Sequence, residues 1–337
     1  MKRLIIVASL AILAVGCQKT FVENEVLTPI GFNTEVSKQT RAIFQEETYS
    51  GESFGVYAWG HQGNSKNLVM DNVQITGTTV DGVTSWKPST GAYYWPNDTE
   101  TYLNFYAYSP YSINAVLDQN ETALTLTDYT HTATDLDFMV AVPVKGAKYA
   151  DQNGSADGVI TGSVPVAFKH QMTQIVFKVK ETAAEGIIVK LKRITLDNVV
   201  NQASYSIAVD TYNGTPTWRP VATGTYTLFS SDAGETVTAN GIESTPATVI
   251  PQTLTASVAN DPNVVGNKFT VVYEISGTGV ATETVTKTLD LYASPVVAWN
   301  PNMKVTYTLT VGLNEISFNP TVTEWTPSAP NSEIPIN

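Results

Sequence analysis

Cysteine occurs once in the 337 residues, at Cys17, so no disulfide can form within the chain. Arginine is nearly as scarce, with Arg3, Arg41, Arg193 and Arg219 the full set. Charged side chains make up 15% of the chain, against roughly 25% in an average soluble domain. The net charge of −12 leaves no basic face to neutralise phosphates. That excludes nucleic acid as a partner. Beyond the N-terminus there is no second long hydrophobic run and no basic amphipathic segment that would lie on a membrane. A clean helical period is also missing. Thr, Val, Ala, Tyr and Asn fill the space that charge vacates, a composition suited to pleated surfaces.

What is present begins at the N-terminus. Lys2 and Arg3 precede an apolar run over residues 4–15, closed by Ala14-Val15-Gly16-Cys17. The run is 12 residues long, short of the roughly 20 that span a bilayer core. The pattern resembles a bacterial lipobox, with Ala14 where that motif prefers Leu and Leu13 one step further out. The resemblance implies export, cleavage before Cys17 and a lipid on its thiol, which would tether the chain to a membrane outside the cytoplasm.

The remainder reads with period two and is broken by Gly, Asn, Asp or Pro. Phe54-Gly55-Val56-Tyr57-Ala58-Trp59, Tyr102-Leu103-Asn104-Phe105-Tyr106-Ala107-Tyr108 and Gln174-Ile175-Val176-Phe177-Lys178-Val179-Lys180 are the clearest strands. Strands recurring every 8–12 residues or so predict an all-β chain of two antiparallel β-sandwich domains. A polar, turn-rich run over residues 151–158 marks the expected boundary. The expected layout is a signal at 1–17, a pro-segment at 18–41 and domains at 42–158 and 159–337.

Several motifs recur in a family-like order: Ile30-Gly31-Phe32, Thr40-Arg41-Ala42, Phe54-Gly55-Val56-Tyr57-Ala58 and Tyr94-Trp95-Pro96 come first. Leu103-Asn104-Phe105-Tyr106-Ala107-Tyr108-Ser109-Pro110, Asp137-Phe138-Met139-Val140-Ala141 and Val166-Ala167-Phe168-Lys169-His170-Gln171-Met172-Thr173 follow. Together they resemble the fimbrillin family, subunits of type V pili of Gram-negative anaerobes. The resemblance implies transthyretin-like sandwiches and other pilus subunits as partners. It also implies a trypsin-like protease cutting after an arginine, which here matches Arg41-Ala42.

Arg41 lies in a polar stretch, Ser37-Lys38-Gln39-Thr40-Arg41, between two apolar patterns, the setting in which proteolysis concentrates. The segment before it reads as a strand, with Val26, Ile30, Phe32 and Val36 on one face. Ile30-Gly31-Phe32-Asn33-Thr34-Glu35-Val36 and Ile316-Ser317-Phe318-Asn319-Pro320-Thr321-Val322 share the pattern I-x-F-N-x-x-V. Two strands with the same side chains at the same spacing suit the same groove. The expected mechanism is therefore exchange: residues 26–36 complete the molecule's own sheet, leave after cleavage, and are replaced by a neighbour's donor strand carrying Ile316, Phe318, Val322 and Trp325. Such an interface does not close and builds a filament. Pairing of residues 316–325 within their own domain, with residues 327–337 as the donor, is the alternative.

Enzyme patterns fail on context. Gly51-Glu52-Ser53-Phe54-Gly55 matches a nucleophile elbow, but a strand follows where that motif needs a helix. His61, His131 and His170 show no metal-ligand spacing, and residues 151–158 lack the glycine and carboxylate of a calcium loop. No cofactor or metal is expected, and no enzymatic activity. The aromatics serve mostly as core, with a minority suited to stacking sugars. That leaves open a monomeric glycan-binding surface lipoprotein, or a tip or anchor subunit. A host or bacterial surface ligand is the expected adhesion partner.

Overall fold

The structure is a computed structural model that describes residues 27–36, 47–48 and 53–325, apart from 82, 133–135, 150–158, 161–162, 184, 211–213, 259–264, 293–295 and 313–315. Cys17, Val26, Arg41 and Ala42 lie outside the described residues, as do the expected boundary at 158/159 and residues 327–337. The described chain is built of β-strands with one short 3-10 turn at Tyr111–Ile113. Among these residues no helix is long and apolar enough to cross a membrane.

The first sheet runs Val144–Tyr149, Tyr102–Ser109, Ser53–Gln62, Ser65–Val80, Val83–Pro88, Phe32–Val36, Val164–His170 and Met139–Ala141. The last of these pairs back onto Tyr102–Ser109 through Tyr108 opposite Val140, so the sheet closes on itself. Alternating side chains fill its interior with Phe54, Val56, Met70, Ile75, Trp86, Trp95, Leu103, Phe105 and Phe168. The strand motifs make sense at this level. Gly55 is required because the buried Tyr108 ring lies where its Cβ would be. Tyr106 and Asn104 both donate to the buried Glu121 carboxylate, at 3.0 and 3.1 Å.

The second part is a sandwich. One sheet places Thr173–Glu181 beside Met303–Val311, with Ile316–Glu324 outermost. The facing sheet is organised on Ile187–Ala208, flanked by Thr217–Thr236, Lys268–Gly277 and Ala123–Thr130. Phe177, Phe269, Trp299 and Tyr307 pack between the sheets. The chain passes from the first sheet to the second between His170 and Thr173.

Two long-range pairings are parallel: Phe32–Val36 with Val164–His170, and Thr173–Glu181 with Met303–Val311. The expectation of wholly antiparallel sheets therefore needs this addition. Alternation reports which face is buried and carries no information on strand direction, and parallel neighbours need a long crossover. A third apolar cluster joins the two parts through Tyr57, Tyr108, Phe138, Met172, Tyr205 and Trp325.

Candidate assembly site

The N-terminal strand, Phe32–Val36, is an interior stave of the closed sheet. On one side it pairs in parallel with the Val164–His170 strand, from Phe32 opposite Val164 to Val36 opposite Phe168. On the other side Phe32 lies opposite Trp86. The preceding residues are fixed as well. Ile30 N–H donates to Tyr93 O at 2.8 Å, Trp95 N–H to Thr28 O at 3.0 Å and Val164 N–H to Gly31 O at 2.8 Å. Ile30 and Phe32 are both only 2% exposed. The Phe32 ring meets Phe54 and Phe105 edge-on, each with centroids 6.0 Å apart.

Gly31 is small for a local reason, since a Cβ there would stand 3.3 Å from Ser163 Oγ. Alternation thus gives Phe32 an aromatic slot and Gly31 a close approach to the neighbouring strand. Lifting these residues out would uncover Phe54, Trp86, Phe105 and Phe168. It would also strip the ladder from the Val164–His170 strand, a cost that burial of backbone polar groups makes large.

Val36 and Glu35 also pair with Glu47 and Thr48. Residues 37–46, which contain Arg41, therefore join two strands that lie side by side. Cutting that connection would leave the N-terminal strand held only by packing and hydrogen bonds.

The C-terminal strand, Ile316–Glu324, pairs antiparallel with Met303–Val311 over its whole length, from Ile316 opposite Val311 to Glu324 opposite Met303. It forms the end of its sheet. Pro320 sits opposite Tyr307 without a break in register, which an edge position tolerates because one side of the strand makes no ladder. Ile316 is half-buried, Phe318 lies opposite Leu309, and Val322 is 43% exposed opposite Val305. Both copies of I-x-F-N-x-x-V are thus strands, one central in the first sheet and one at the rim of the second.

Trp325 leaves the strand and turns into the junction between the two parts. Its ring stacks on His170 at 4.0 Å and 8°, and its backbone N–H donates to Asn302 O at 3.5 Å. His170 Nδ1 is bonded to Asp137 Oδ2 at 2.6 Å. Burial raises the Asp137 carboxyl above the usual carboxylate range, and the bond to His170 offsets this only in part. Among the described residues no group of three His, Cys, Asp or Glu is placed to hold a metal ion. Ser53 opens a ten-residue strand, so the chain does not make the strand-to-helix turn of a nucleophile elbow.

A family model described as fimbrillin-like matches residues 40–325. The chain belongs to the fimbrillin-like family. This fimbrillin-like chain has no match among curated proteins, but its fold is shared by solved structures. A putative cell adhesion protein from Bacteroides uniformis is 19% identical, with 88% of this chain and 98% of that one covered and a TM-score of 0.53. One from Bacteroides ovatus is 16% identical, with 90% and 99% covered and a TM-score of 0.52. At these identities the likeness speaks to the fold.

The groove walls, Trp86 and the Val164–His170 strand, were not assigned to the assembly site by sequence. Val164-Pro165-Val166-Ala167-Phe168 reads as a strand, but nothing in its alternation names a parallel partner so distant in the chain. Asp137 gave no signal beyond its place in a motif.

Proposed function

We infer that this protein is a structural or adhesive subunit of cell-surface fimbriae, exported as a lipoprotein on Cys17 and activated by cleavage after Arg41. The observation that carries the reading is the seat of the Phe32–Val36 strand. It is an interior stave with two buried anchors, Ile30 and Phe32, joined to the next strand only through residues 37–46. A single cut there converts a covalent element into a removable one. The vacated slot offers two unpaired strand edges and an aromatic floor, which suits an incoming strand of matching pattern.

The C-terminal strand is the natural donor. Because it pairs on one side only, its departure breaks one ladder. Its Ile316, Phe318 and Val322 repeat the spacing of Ile30, Phe32 and Val36. Polymerisation by such exchange is heterologous, so each subunit donates at one end and accepts at the other. The partners are other pilus subunits, a trypsin-like protease and a surface ligand of the host or of another bacterium. The role is binding and scaffolding, without catalysis.

N-terminal sequencing of material sheared from the cell surface tests this. Chains beginning at Ala42 are expected. Arg41→Ala is expected to reach the outer membrane and remain unassembled. Sheared filaments of normal length from that variant would refute proteolytic activation. Deletion of residues 316–337 is expected to stop growth while leaving an intact acceptor groove. Continued polymerisation would remove the C-terminal strand as donor.

A further inference from the structure

A chamber of about 410 Å³ opens beside the N-terminal strand. That volume falls in the range of small-molecule sites, roughly 300–1,000 Å³. Ile30 and Gly31 form one wall, and Tyr93, Tyr149, Lys87 and Ser163 contribute to the others. The Tyr149 ring is backed by Trp95, stacked at 6.0 Å and 30°. Trp95 is 2% exposed, and its indole N–H finds no acceptor among the described residues. No side-chain hydrogen bond among the described residues involves Tyr93, Tyr149, Lys87 or Ser163. The chamber is therefore lined by two tyrosines, a serine and one lysine together.

Two features narrow the occupant. Lys87 is the one charged side chain among the described residues of the lining, so an anionic group has a partner and a cation has none. The chain as a whole carries −12, which opposes a polyanion but tolerates a single carboxylate beside Lys87. Tyrosines grouped with a serine suit the apolar face and hydroxyls of a sugar ring better than an aliphatic tail. The geometry points to a short acidic saccharide, carrying one carboxylate as uronic and sialic acids do, as the ligand of this chamber.

The site is also linked to assembly, and this part rests on the strand-release reading above. Ile30 and Gly31 belong to the segment that leaves, so the chamber is complete only while that segment is seated. A ligand that binds the complete form must favour it: at 100 times Kd, the seated state gains about 100-fold over the released one. Sugar binding by the precursor and departure of its N-terminal strand then oppose each other.

The test uses the full uncut chain titrated with N-acetylneuraminic acid and with glucuronic acid, with N-acetylglucosamine as the neutral probe, followed by tryptophan fluorescence or calorimetry. Saturable binding of at least one acid is expected, at least tenfold tighter than the neutral sugar. The exposed Lys87→Met variant should erase that preference without moving the unfolding midpoint, and Tyr93→Ala should lose binding. No saturable binding by either acid, or an unchanged preference in Lys87→Met, overturns the site. A second arm cuts the chain after Arg41 and follows retention of the N-terminal fragment. Slower loss with bound acid supports the linkage, and equal loss overturns it. A fragment never lost, with the acids still bound by the uncut chain, refutes strand release and leaves the site standing. A fragment lost from a chain that binds neither acid refutes the site alone.

Discussion

Phe32→Ala is the most direct probe of the removable strand. Phe32 is 2% exposed and packs edge-on against Phe54 and Phe105. Both partners are held in the same closed sheet, so the void left by the ring is poorly filled by collapse. Truncation of a buried Phe costs about 3–5 kcal/mol, a figure that already contains the two ring pairs. At about 1.4 kcal/mol per decade, seating of the strand weakens by roughly two to three and a half decades. The assay is retention. The full chain is cut after Arg41, passed over a sizing column, and the fraction still carrying the N-terminal fragment is measured. Wild-type protein should lose its fragment slowly, whereas Phe32→Ala should lose it at once. Leu27→Ala serves as the control, because Leu27 is 48% exposed and surface truncations stay within about 0.5 kcal/mol. Equal retention by wild type and Phe32→Ala would refute the argument that this slot holds the strand.

Three further outcomes follow from the packing. Gly55→Ala should lower the urea midpoint by the equivalent of about 1–3 kcal/mol with no change in slope. The Tyr108 ring that fills the space is fully buried and fixed by donating to Asn72 Oδ1 at 2.6 Å, so an unchanged midpoint would mean that this ring yields. Trp325→Ala should cost about 3–5 kcal/mol, because Trp325 is 6% exposed and stacked on His170; thermal unfolding as stable as wild type would place Trp325 outside the junction. Asp137→Asn addresses pH. The folded carboxyl titrates above its unfolded value of about 3.9, so the folded chain binds more protons in that window. The stability this group contributes is present below pH of about 4 and declines as pH rises through the folded pKa. Asp137→Asn should flatten that decline in urea unfolding as pH rises above about 4. An identical slope in both proteins would assign the effect to other groups.

Much of this architecture was legible in the residues. Strict alternation located the Ser53–Gln62, Tyr102–Ser109 and Thr173–Glu181 strands, and the period-two face of Ile30 and Phe32 is the face that is buried. Long strands were harder. Apolar alternation runs over residues 186–196 and again over 203–209, yet the strand Ile187–Ala208 is continuous. Asp197 and Asn198 interrupt the apolar pattern there, and a positive φ at Asn198 marks a bulge that the ladder absorbs. Alternation does not mark Ser65–Val80, because most of its first half is exposed and carries no apolar rhythm.

By itself the sequence determined an all-β chain, the repeated I-x-F-N-x-x-V pattern and an arginine between two apolar patterns, beside an N-terminal pattern that resembles a lipobox. Each of these depends on local order along the chain, which side-chain alternation and turn residues encode. Only the tertiary structure decided where the two copies sit: one as a stave inside a closed sheet, the other at a rim. It also decided that Asp137, His170 and Trp325 meet, and that Lys87, Tyr93 and Tyr149 share a chamber. Pairing direction and long-range contact come from how whole faces bury against each other, and no short window of residues carries that information.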